Sequence, residues 1–141
     1  MQDVRTGGVA RGVARWLLVA LLGVAGVGHF GAVEAFRAQV PPWMPWPEAV
    51  ILVSGVVELA LAAALVFAPR HRRPVVGWVA AACVGAVVAG DVSQYVTGTP
   101  AFGLDSDTAR LVRLLFQPGL VVAALVVLVN EGSASASEIV A

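Results

Sequence analysis

The chain has 141 residues, the size of one domain. Hydrophobic residues make up 59% and charged ones 13%, with a mean hydropathy of +0.86, where a soluble domain has about 45–50% and about 25%; an ordinary soluble globule is excluded and membrane lipid is the first expected partner. Nine basic residues balance nine acidic ones, and no basic stripe with interleaved aromatics offers a surface to nucleic acid.

The predicted architecture is all-α, a four-transmembrane-helix bundle with both termini cytoplasmic. Residues 1–15 form a basic, loosely ordered lead-in carrying Arg5, Arg11 and Arg15. The membrane domain covers 16–130. Its first span runs over 16–36, long and apolar enough to cross a bilayer. A basic start and an apolar core also fit a signal peptide, but three more apolar segments follow in place of a polar mature domain.

Between the first two spans lies VPPWMPWP, residues 40–47. Its prolines, Pro41, Pro42, Pro45 and Pro47, fix φ and remove backbone donors, so the segment is stiff and non-helical. Trp43 and Trp46 within it suit a membrane–water boundary. The second span is 48–68. A short basic turn with Arg70, Arg72 and Arg73 leads to the third span, 75–96, where Gly77, Ala81, Gly85, Ala89 and Ser93 make a small-residue stripe suited to close helix contact within the chain or between copies. A turn-rich loop with Asp105 and Asp107 precedes the fourth span, 110–130, and residues 131–141 are a flexible tail. Arg5, Arg11, Arg15, Arg70, Arg72 and Arg73 fall on one side, against Arg37, Arg110 and Arg113 on the other. This asymmetry puts the termini inside and the proline ladder outside, with the bacterial cytoplasmic membrane as the expected location.

Polar residues inside the spans are costly and mark candidate sites. They are His29, Glu34, Ser54, Glu58, Asp91, Tyr95, Arg113 and Gln117. Counted at 1.5 Å per residue they fall in the outer half of the bundle, with Glu58 nearest the middle and Ser54 one turn from it. Each has a plainer alternative as a hydrogen-bonded structural group. His29, Glu58 and Asp91 are the candidate catalytic residues; Ser54, Tyr95, Arg113 and Gln117 are the candidate ligand contacts. No metal site is expected, because His71 lies at the opposite end from His29 and no ligand spacing is present. The single cysteine, Cys83, excludes an internal disulfide. No hydrolase elbow, phosphate loop or dinucleotide fingerprint occurs.

Gly28-His29-Phe30, then VPPWMPWP (40–47), SGVVEL (54–59), the proline–arginine turn and RLLFQ (113–117) resemble the DoxX-like family of small four-helix membrane proteins. The resemblance spans about residues 26–120 and places His29, Glu58, Arg113 and Gln117 on the family's characteristic polar positions. The chain departs from the family at Leu115, where a proline is usual, and at GDVSQYV with Asp91, where a proline–alanine–asparagine signal usually ends the third helix.

The resemblance implies a subunit or partner of a membrane redox system, linked to quinone or to thiol and sulfur chemistry. No covalently bound cofactor is expected, a quinone is the candidate ligand, and an oxidoreductase is the candidate partner. Two alternatives stay open: an autonomous acid–base enzyme, of isomerase or epoxide-opening type, on a small lipophilic substrate, and a non-catalytic assembly protein.

Overall fold

The computed structural model describes residues 2–116, 118–119, 121–122 and 125–126, with side chains from residue 8 onward. Four α-helices follow in order: α1 (Gln2–Gly31), the short α2 (Val33–Arg37), α3 (Pro47–Phe67) and α4 (Arg73–Thr97), the last entered through a single 3-10 turn at Arg70–Arg72. Residues 107–116 are also helical, and no strand occurs among the described residues. Three segments, Gly8–Gly31, Pro47–Phe67 and Arg70–Thr97, are long and apolar enough to cross a membrane. Gln117, much of the expected fourth span and the tail at 131–141 lie outside the described residues.

Each long helix buries one stripe. In α1 it is Ala14, Leu18, Leu22, Gly26 and His29; in α3 it is Ile51, Gly55, Glu58, Leu61, Ala62 and Leu65; in α4 it is Gly77, Ala80, Val84, Asp91 and Gln94. The steps of three and four are those of a helix face turned towards its neighbours. Ala14, Leu18, Leu22, Leu61, Ala62, Leu65, Ala80 and Val84 form an apolar core that Val121 and Leu125 join. His29, Glu58 and Asp91 continue the same stripes beyond it. These polar side chains therefore face the bundle interior.

The first helix differs from the expected 16–36. It already begins at Gln2, so the described part of the basic lead-in is helical rather than loose. It also ends at Gly31, because Ala32 leaves helical geometry at φ −137° and ψ 43°. α2 then turns the chain back across the end of the bundle, where a straight helix would have run on. The small-residue stripe of α4 is only partly covered by the described residues. Gly77 is buried and Ala81 and Ser93 are half-buried, but Gly85 and Ala89 are exposed, and a Cβ at Gly85 would meet nothing among the described residues within 4 Å. The tight seam lies between α1 and α3. A Cβ on Gly26 would come within 3.1 Å of the Gly55 carbonyl, and one on Gly55 within 2.7 Å of His29 Cβ. One glycine on each helix lets the backbones approach, the usual device where a bilayer supplies no hydrophobic drive between helices.

Candidate functional site

The α1–α3 seam holds the first pair. His29 Nδ1 lies 3.2 Å from Glu58 Oε2, with the residues 8% and 3% exposed. The same Nδ1 donates to the Ala25 carbonyl at 2.8 Å, one helical turn back. A carbonyl accepts only from an N–H, so Nδ1 carries a hydrogen. In the neutral ring the lone pair is then on Nε2. That bond aims the N–H along the helix, and Glu58 Oε2 is left buried without a hydrogen-bond partner among the described residues.

The second pair lies between α4 and the segments that cap the bundle. Asp91 is 4% exposed. Its Oδ1 accepts from Gln39 Nε2 at 2.6 Å and lies 3.6 Å from Arg113 Nε. Its Oδ2 is buried with no hydrogen-bond partner among the described residues. Gly90 makes room for this, since a Cβ there would sit 3.0 Å from the Gln39 carbonyl.

Aromatic rings join the two pairs. Phe36, carried by α2, stacks on His29 with centroids 3.8 Å apart, and Gly28 leaves space for its ring. Phe102, in the loop after α4, meets Phe36 edge-on at 4.9 Å. The Arg113 guanidinium lies over the Phe102 ring at 4.6 Å, close enough for cation–π attraction. Glu58, His29, Phe36, Phe102, Arg113, Asp91 and Gln39 thus form one continuous chain of contacts through the end of the bundle.

Of the expected site residues, His29, Glu58, Asp91 and Arg113 meet in this chain. Ser54 is half-buried one turn from Glu58, Tyr95 is exposed on α4, and Gln117 lies outside the described residues. Glu34 is exposed and sits with Arg37 and Glu48 at the surface, Arg37 Nη2 donating to Glu48 Oε1 at 2.6 Å. A cleft of about 380 Å³ opens beside it, walled by Arg37, the proline ladder and Thr97. Among the described residues no group of three or more His, Cys, Asp or Glu side chains is placed to hold a metal ion.

Sequence reasoning missed Gln39, Phe36 and Phe102. Gln39 had one weak signal, an amide close before the proline ladder, two residues after Arg37. It also missed the buried Gln94, whose Nε2 donates to Thr99 O at 3.2 Å, and the anchoring role of Arg110. Arg110 is 8% exposed and donates to Leu104 O at 2.9 Å and Asp107 Oδ1 at 2.7 Å, fixing the loop that carries Phe102.

No curated protein and no solved structure matches the chain. A family model does match it over residues 18–128, a stretch that takes in both buried pairs and the aromatic bridge. The chain belongs to the family described as a domain of unknown function, DUF8561.

Proposed function

We propose that this is a DoxX-like integral membrane protein of a bacterial cytoplasmic membrane, a four-helix bundle with both termini inside that serves a membrane redox system. Its polar cluster holds a quinone or a related lipophile and exchanges protons with it. One observation carries the reading: two carboxylates, Glu58 and Asp91, are buried on core-facing stripes, each with an oxygen that no described donor satisfies. An acceptor left open in that way is costly unless a further donor completes it. The hydroxyl of a quinol is such a donor.

Reduction of a quinone takes two electrons and two protons. The electrons come from an oxidoreductase partner of thiol or sulfur chemistry, since the chain's lone cysteine cannot cycle as an internal dithiol. The Glu58–His29 pair holds exchangeable protons on the far side of the Phe36 ring. Arg113, its geometry fixed by Asp91 and Gln39, supplies positive charge beside the quinone.

The test is native mass spectrometry and quinone titration of the full chain in lipid nanodiscs. Bound quinone, or a co-purifying oxidoreductase, with proton exchange lost in Glu58→Gln while the fold persists, is the expected result. No quinone and no partner would end the reading. Turnover of a small lipophile by the isolated chain, abolished in the same variant, would put the autonomous acid–base enzyme in its place.

A further inference from the structure

The chain of contacts contains one residue whose backbone is out of keeping with its side chain. Phe102 has φ 56°, in the left-handed region that favours glycine. Gly98 and Gly103 flank it at φ 64° and 72°, where glycine adopts such angles without penalty. The loop is tied down on both sides of the phenylalanine. Gln94 holds Thr99 through its side chain at 3.2 Å, and Arg110 holds the Leu104 carbonyl at 2.9 Å. Between these ties the ring makes an edge contact with Phe36 and lies under the Arg113 guanidinium. Phe102 is 41% exposed, so the ring is reached from outside the bundle. Strain held at a contact point beside buried ionisable groups is where a replaceable contact is expected.

We propose that Phe102 is a displaceable plug, and that the planar head of a quinone-class ligand binds by taking its place. The proposal rests on the quinone reading above. The ring position already offers what such a head requires. It has the edge of Phe36 on one side and the guanidinium of Arg113 on another, and Phe36 in turn covers His29. A phenyl ring uses these surfaces but offers no oxygen. A quinone ring keeps these contacts and brings carbonyl oxygens up to the guanidinium, beside its ion pair with Asp91.

The experiment uses the full chain in nanodiscs and a short-chain ubiquinone as probe. If the plug closes the site most of the time, Phe102→Ala removes the competitor and tightens apparent binding by about tenfold. Phe36→Ala, which deletes a wall, weakens it. If wild-type protein binds quinone and Phe102→Ala leaves affinity unchanged or lowers it, the plug is wrong and the redox reading survives. A fall in thermal stability without a change in affinity likewise overturns the plug, since it makes Phe102 a structural lid only. Failure of every form to bind quinone removes both. Binding by Phe102→Ala where wild type shows none supports the plug directly.

Discussion

Gln39 donates to Asp91 Oδ1 at 2.6 Å although 52 positions separate them in the chain. The approach depends on Gly90, the residue before Asp91, whose missing side chain leaves room for the Gln39 backbone. Neighbouring residues of α4 thus do complementary work: one supplies space and the next supplies charge. The turn after α2 is locked to α4 at that point, and α2 is what lays Phe36 on His29. The position of the aromatic bridge therefore depends on a contact at the other end of the site.

Gln39→Leu is expected to cost about 1–3 kcal/mol, the penalty for leaving a buried acceptor without its donor. Gly90→Ala should cost a similar amount, because its Cβ would stand 3.0 Å from a carbonyl that cannot swing aside as a flexible side chain would. The two share one contact, so the double variant should cost clearly less than the sum. Unfolding of the three variants in detergent measures this, and full additivity would show that the two residues act separately.

The long helices were legible because their apolar runs are long enough to cross a bilayer and their buried residues recur at steps of three and four. His29, Glu58 and Asp91 stood out because an ionisable group inside an apolar span is costly unless it faces protein or water. The break at Ala32 was not legible. GHFGAVEAFR contains no proline, and the spread of His29, Glu34 and Arg37 through it does not single out position 32 as the break. Phe36 and Phe102 acquire their roles only through partners brought together by folding, so neither could be told from an ordinary lipid-facing phenylalanine. The spacing of the α4 stripe shows that close packing is feasible there without showing which surface meets it. The α1–α3 seam is made by Gly26 and Gly55, single glycines on two different helices.

Gly55→Ala tests that seam. Its Cβ would lie 2.7 Å from His29 Cβ and 3.1 Å from the Gly26 carbonyl, so α1 and α3 must part. Overpacking of this kind costs about 1–3 kcal/mol. Gly85→Ala is the matched control, since nothing among the described residues lies within 4 Å of its new carbon. An alanine inside a helix is favoured over glycine by about 0.5–1 kcal/mol, so this variant should be neutral or slightly stabilised. Melting temperatures in detergent that fell equally for both would shift the tight contact away from the α1–α3 seam.

Two arginines with similar partners should respond differently to removal, because burial decides the outcome. Arg110 is 8% exposed, and its loss leaves the Leu104 carbonyl without its donor and the Phe102 loop without its tie. Arg110→Ala should cost about 2 kcal/mol, the scale of a charged hydrogen bond, and speed hydrogen exchange over residues 99–105. Arg37 pairs with Glu48 at 2.6 Å, but the two side chains are 40% and 68% exposed. Solvent screens such a pair, so Arg37→Gln should cost about 0–1 kcal/mol. Comparable losses from the two variants would mean that the surface pair holds α2 in place.

Trp46 stands at the start of α3 with φ 52° and ψ 58°, a left-handed conformation, while its ring is 78% exposed. The ring therefore contributes little packing within the chain to set against its backbone strain. Pro47 follows at the first helical position, where its fixed φ suits the helix. A left-handed L-residue costs roughly 1–2 kcal/mol, and glycine gives back about 0.5–1 kcal/mol of that gain through its greater freedom when unfolded. Trp46→Gly should accordingly raise stability in detergent by a net of about 0.5–1 kcal/mol. In a bilayer the same change removes an aromatic ring suited to the lipid–water boundary, and the gain should shrink or reverse. Unfolding measured in both environments separates the two contributions. Equal destabilisation in detergent and bilayer would show that the ring is held by protein, and that the strain at Trp46 is offset inside the fold.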